Sequence, residues 1–261
     1  MKYNETITYY DELNDDFANK IKHVKPLPKR YKIYSKNPFF LLFNFIMYWI
    51  IVRPIAFFYM KFRFHYKIRN KKILKNLKHQ GYLIFANHTL IMGDAFSLNL
   101  VDLRRRNYIV TGEETNSLKK ILPLLRSLGL LPVTKDLKRN KELIAAIKYI
   151  TKKKKNTVTI FPEAHIWPYY TDIRNFRFES FKYAVLLDIP VVTLTNCYSK
   201  KKHGKRPKIT GYLAGPFYPD KTLNKKDAAI KLRNDAYSSM KENKKYSSYS
   251  YYNYVRGNKD E

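Results

Sequence analysis

The sequence predicts an α/β domain, a mixed β-sheet flanked by helices, entered through an apolar N-terminal helical segment. Short runs rich in Val, Ile, Leu, Phe and Tyr, among them Gly81–Ala86, Thr157–Phe161 and Ile189–Thr195, alternate with segments whose apolar residues recur at helical spacing. That alternation is the pattern of a sheet covered by helices. Two of the β-rich runs end in polar chemistry, Asn87-His88 and Phe161-Pro162-Glu163. A third observation is the nearly unbroken apolar and aromatic stretch Phe39–Met60.

Taken in order, residues 1–38 are a lead, polar and acidic over Met1–Asp16 and basic afterwards, with Lys25, Lys29, Arg30, Lys32 and Lys36. Such a start is not that of a cleavable secretory signal, which places the chain on the cytoplasmic side. Residues 39–61 follow as the membrane-associated segment. As one straight helix Phe39–Met60 measures about 33 Å, but Arg53-Pro54 interrupts it, and Phe39–Val52 alone reaches about 21 Å against a hydrocarbon core of roughly 30 Å. Positive charge flanks both sides, with Lys61, Arg63, Lys67 and Arg69 beyond it, so the expected form is an interfacial or re-entrant helical hairpin. A single span and a buried soluble helix are the alternatives.

Residues 62–242 make the main domain. Phe62–Ile68 reads as a strand, Lys71–His79 as a basic helix and Gly81–Ala86 as a buried strand. Asp94–Val101 begins a helix, Tyr108–Val110 is a strand, Leu118–Leu128 a helix and Leu130–Val133 a short strand. Asn140–Lys152 is a helix with a solvated basic face, followed by the strand Thr157–Phe161. Phe181–Leu187 is helical, Ile189–Thr195 and Ile209–Gly215 are strands, and Lys225–Lys241 is a polar helix. Residues 243–261 form a tail rich in Tyr, Ser and Asn, with five tyrosines within Tyr246–Tyr254, read as a loose surface segment.

The 261 residues carry 51 Lys and Arg against 21 Asp and Glu, a net charge of +30, which calls for an anionic partner. The excess is spread along the chain, in runs such as Arg104–Arg106, Lys152–Lys155 and Lys200–Lys202. A dispersed basic surface beside an apolar stretch fits anionic membrane lipid. Nucleic acid is the poorer partner, because it leaves Phe39–Met60 and both strand-end motifs unused. The single cysteine, Cys197, excludes an internal disulfide and reads as a small core residue. No helical His-x-x-x-His pair accompanies His88, Asp94, Glu163 and His165, so a metal site built from them is a minor alternative and no metal is expected; no cofactor is expected either.

A histidine after a strand is commonly structural, and Asp94 could simply cap the helix it opens. The order raises these residues above that reading: strand, Asn-His, short loop, Asp, helix, and later a second strand ending Phe-Pro-Glu. This order resembles the glycerolipid acyltransferase family, in particular the 1-acylglycerol-3-phosphate (lysophosphatidate) acyltransferases, over about Phe62 to Pro216. Asn87-His88 matches the first family block, with five residues rather than four before Asp94 and Gly93 where the family has aspartate. A positive φ at Gly93 is the expected means of absorbing the extra residue. Gly129-Leu130-Leu131-Pro132-Val133-Thr134-Lys135 matches the second block with lysine for arginine, and Phe161-Pro162-Glu163 matches the third, followed by Ala164-His165-Ile166 where the family has glycine, threonine and arginine. Ile189-Pro190-Val191-Val192 matches the fourth.

The resemblance implies a glycerol-phosphate acyltransferase-like fold and transfer of a fatty acyl group, from coenzyme A or acyl carrier protein as co-substrate, to a glycerol hydroxyl of a lyso-acceptor. It makes His88 the general base and Asp94 its orienter. Asn87, Gly129, Lys135, Pro162, Glu163 and His165 become substrate-binding positions, Lys135 for phosphate. His165, Arg174, Arg177 and Lys182 are the cations available to replace the arginine missing at Ile166. The cytoplasmic face of a membrane is the implied location, held by a peripheral, monotopic or single-span anchor.

Overall fold

The structure, a computed structural model, describes residues 3–17, 33–35, 37–91, 93–112, 122–134 and 136–258. Nine strands are described: β1 (Thr6–Tyr9), β2 (Lys67–Arg69), β3 (Tyr82–Ala86), β4 (Asn107–Thr111), β5 (Leu130–Pro132), β6 (Thr157–Ile160), β7 (Val191–Ser199), β8 (Lys208–Phe217) and β9 (Asn253–Arg256). Seven form one mixed sheet in the order β2-β8-β7-β3-β6-β4-β5. β5, β4, β6, β3 and β7 are mutually parallel, while β8 returns antiparallel to β7 and carries β2 beside it.

Every residue of β3 is buried, because helices cover both faces and a central parallel strand has no wet side. Leu83 and Phe85 point to one face, packed with Val158, Leu143, Ile147, Leu232 and Met240. Tyr82, Ile84 and Ala86 point to the other, with Leu74, Leu77, Leu98 and Val101. The first layer is built largely on helices Leu137–Lys148 and Lys225–Asn243. Asp136 and Asn224 start those helices by accepting hydrogen bonds from first-turn N–H groups. Cys197 is buried in β7.

The apolar segment is one continuous helix, Pro38–Arg63, rather than a hairpin broken at Arg53-Pro54. Proline lacks an N–H and crowds the carbonyl four residues back. The helix widens to π-type turns over Ile46–Val52, where the Arg53 N–H donates to the carbonyl of Tyr48 five residues earlier. Such a wide turn lets the chain pass a proline without stopping. One stripe faces the domain: Asn44, Tyr48, Arg53, Ala56 and Met60 are buried. Phe39, Leu42, Ile50, Ile55, Phe57, Phe58 and Phe62 face outward. The Tyr48 hydroxyl accepts the Asn107 N–H at 2.8 Å, and Arg53 Nη2 donates to the Asp102 carbonyl at 3.1 Å.

Other differences are local. The helix runs through Arg63, so the strand expected over Phe62–Ile68 shrinks to β2. Lys71–Leu77 is a 3₁₀ helix. Of the helix expected over Leu118–Leu128, the described part is Leu122–Ser127. The tail is not loose: β9 pairs in parallel with β1, joining the two ends of the described chain in a second, two-stranded sheet. Tyr254 stacks on Trp167 at 5.2 Å, and Trp167 is fully buried.

Candidate active site

β3 delivers Asn87 and His88 at the carboxyl ends of the parallel strands, where open α/β sheets place their ligands. His88 Nδ1 lies 2.8 Å from Asp94 Oδ2. The same oxygen accepts the N–H of Thr89 at 2.8 Å and of Leu90 at 2.9 Å, while Oδ1 faces Asn196 Nδ2 at 3.4 Å. The Asp94 side chain is 2% exposed and that of His88 18%. An ionised carboxylate only accepts, so Asp94 holds the imidazole proton on Nδ1 and leaves the Nε2 lone pair for chemistry.

The extra loop residue is absorbed by a turn rather than by a left-handed glycine. Gly93 lies within the helix Gly93–Leu98, and the Asp94 N–H donates to the Leu90 carbonyl at 3.2 Å, one helical turn earlier. That turn aims the Thr89 and Leu90 N–H groups at the Asp94 carboxylate.

Glu163 supports the histidine from beneath. Its Oε2 accepts the His88 backbone N–H at 3.0 Å and Arg174 Nη2 at 3.3 Å, and its Oε1 accepts the Arg174 N–H at 3.1 Å. Burial pushes the Glu163 carboxyl up, with Arg174 and the N–H donors pulling against it. Arg174 is fully buried, spends Nη2 also on the His165 carbonyl, and lies over the Trp167 ring at 4.8 Å. It is therefore not a free cation for a substrate phosphate. The Phe161 ring stacks on His88 at 4.1 Å and 14°, limiting the imidazole's freedom.

The remaining expected positions divide. Asn87 is 1% exposed and exchanges hydrogen bonds with Asn196: its Nδ2 donates to the Asn196 carbonyl at 3.1 Å, and its Oδ1 accepts that residue's N–H at 2.8 Å. It clamps β3 to β7 behind the histidine. Gly129 is at the amino end of β5, away from His88, and has φ +95° with a Cβ position only 3.0 Å from the Asn107 carbonyl, so its requirement is a turn. Pro162 follows β6, between Phe161, which stacks on His88, and Glu163, which accepts the His88 N–H. Ala164, where the family has glycine, sits at φ 62°. His165 Nδ1 lies 3.7 Å from Asp16 Oδ2, turned toward the N-terminal lead. Lys135 lies outside the described residues. Phe161, Arg174 and Asn196 hold these places through tertiary contacts that the sequence does not signal, except that Phe161 lies in the Phe-Pro-Glu motif. Among the described residues no group of three or more His, Cys, Asp or Glu is placed to hold a metal ion.

The acyltransferase family model matches residues 65–196, just over half of the chain and the whole stretch from β2 to Asn196. The chain belongs to the acyltransferase family. A similar solved structure is the 1-acyl-sn-glycerophosphate (LPA) acyltransferase PlsC from Thermotoga maritima, with a TM-score of 0.54 and 18% identity. The match covers 79% of this chain and 87% of that one. That likeness shows the fold of this acyltransferase, a mixed sheet flanked by helices. Comparison with curated proteins finds no match.

Proposed function

We propose that this acyltransferase moves a fatty acyl group from a thioester, on coenzyme A or acyl carrier protein, to a glycerol hydroxyl of lysophosphatidate or a related lyso-acceptor in phospholipid synthesis. The observation that carries the reading is the His88–Asp94 pair at 2.8 Å, its carboxylate fully engaged and its imidazole partly open to solvent. His88 Nε2 takes the hydroxyl proton as the oxygen attacks the thioester carbonyl, a contribution of roughly 10²–10⁴-fold. The tetrahedral intermediate collapses with loss of the C–S bond, and the departing sulfur takes the proton back from the imidazolium. Asp94 stabilises that cation without accepting its proton. Neither a covalent acyl-enzyme nor a metal enters this scheme.

The apolar helix serves this chemistry by lying in the bilayer surface. Its contacts with the domain run from Phe40, under Arg126 at 4.5 Å, through Tyr48 and Arg53 to the buried Met60. That is about 30 Å of helix. A spanning orientation would carry Asp102, Arg105 and Arg106 into hydrocarbon, at several kcal/mol per charge. An in-plane orientation buries the outward phenylalanines and leaves those charges wet.

A second reading is favoured by one observation: Ile166 occupies the family's arginine position, and Arg174 is committed to Glu163. Under it the acceptor carries no phosphate. A screen of purified protein, pairing acyl-CoA and acyl carrier protein donors with phosphorylated and non-phosphorylated lyso-acceptors, separates the two. Turnover of lysophosphatidate supports the first, turnover of neutral acceptors alone the second, and no acyl transfer at all defeats both.

A further inference from the structure

The loop joining β7 to β8 leaves β7 at its carboxyl end, the same end of the sheet at which the parallel strand β3 presents His88. It meets the last turns of the apolar helix in an open cleft of about 870 Å³, lined by Phe58, Phe62, Arg63 and Tyr251 and by the loop residues Lys201, His203, Lys205 and Arg206. Among the described residues no carboxylate lines this cleft. Lys201 Nζ donates to the Arg63 carbonyl, fastening the loop to the helix. The Lys205 carbonyl accepts the Tyr249 hydroxyl at 2.7 Å, fastening it to the tail. Phe58 and Phe62 stack in parallel at 5.9 Å and stand 54% and 72% exposed. Cations gathered against an exposed aromatic pair form an amphipathic receptor, polar on one wall and apolar on the other.

We propose that this cleft binds the phosphate-bearing headgroup of an anionic membrane phospholipid, with the lipid's chains lying along Phe58 and Phe62. The inference rests on the in-plane reading of the helix, which puts the cleft at headgroup depth. Burial first, and then the neighbouring Arg63, pull the Lys201 ammonium below its ordinary range. A lipid held here sets the tilt of the molecule, because the cleft also reaches the catalytic loop: Tyr251 packs on Tyr169 at 4.6 Å, and the Tyr169 N–H donates to the Thr89 carbonyl at 2.8 Å.

The test is co-flotation of the full chain with phosphatidylcholine vesicles, with and without phosphatidylglycerol. Arg63→Gln/Lys205→Gln/Arg206→Gln leaves the Lys201 strut in place. Its affinity for the anionic vesicles should fall roughly 10²-fold, from about a fivefold effect for each of the three cations near the surface, with binding to neutral vesicles unchanged. Lys153→Gln/Lys154→Gln/Lys155→Gln removes equal charge before β6, at the opposite end of the sheet and outside the cleft, and should lose roughly tenfold less, keeping only diffuse attraction to the surface. Arg63→Lys/Lys205→Arg/Arg206→Lys should bind as wild type, which separates charge from folding. Equal losses in the first two variants overturn the cleft and leave only diffuse attraction. Release of wild type from the vesicles by millimolar inorganic phosphate overturns the lipid in favour of a small free anion. Wild type that ignores both kinds of vesicle defeats the in-plane reading itself.

Discussion

At the scale of single residues, the site is a set of acceptors filled by backbone N–H groups. Asp94 takes three donors on one oxygen, so Asp94→Asn removes the orienter and also turns an amide toward the Thr89 and Leu90 N–H groups. Its turnover should fall on the order of 10²–10⁴-fold, measured as kcat with the helix content unchanged by circular dichroism. His88→Ala should abolish acyl transfer and leave co-sedimentation with membranes intact; retained turnover would exclude His88 as the base. Glu163 and Arg174 behave as one unit. Arg174→Met strands a buried carboxylate, a loss of about 3–5 kcal/mol in denaturant unfolding, and Glu163→Gln in the same chain should recover part of it. The pH dependence has a definite sign. With Arg174 gone, burial raises the Glu163 carboxyl further above its unfolded value of about 4.3, so protonation favours the fold. The variant should gain stability as pH falls toward that value and lose it as pH rises. Ala164 carries a further cost, since a left-handed backbone at φ 62° disfavours any side chain by about 1–2 kcal/mol. Ala164→Gly should therefore not lower the melting temperature, unlike the same change in a helix.

At the scale of elements, the site is braced by segments far away in the chain. The Trp167 N–H donates to the His88 carbonyl at 3.1 Å, its indole N–H to the Asp15 carbonyl at 2.7 Å, and its ring packs on Tyr9, Phe17 and Tyr254. The β1–β9 sheet is thus a buttress for the loop that carries His88. Tyr254→Ala should cost about 3 kcal/mol of stability and lower kcat more than it raises KM, checked by thermal melting and initial-rate kinetics. Composition alone marked this tail as loose, because five tyrosines among Ser and Asn carry no strand alternation. Its order comes from partners near residue 10 and residue 167. The apolar helix shows the same limit. Its apolarity was plain in the sequence, but proline rules predicted a break where wide turns carry the helix through.

At the scale of the whole molecule, the proposed function makes the apolar helix and the basic surface one object, a domain resting on a bilayer with the His88 end of its sheet near the headgroups. Charge alone does not hold it there. High salt should release little of the protein from membranes, whereas Ile55→Glu/Phe57→Glu on the outward stripe should release much of it, read by fractionation without detergent. Complete release of wild type by salt would mean that the outward phenylalanines are not inserted.

The sequence by itself determined the alternation of elements, the buried central strands and the placing of His88 and Asp94 at a strand end, because periodicity and motif spacing act within a dozen residues. Only the tertiary structure decided what those residues touch. The clamp of Asn87 on Asn196 spans 109 positions and the Glu163 bond to His88 spans 75, and neither leaves a local trace. Such partners are chosen by which strands become neighbours, here β7 and β6 on either side of β3, and that choice belongs to the packing of the whole sheet.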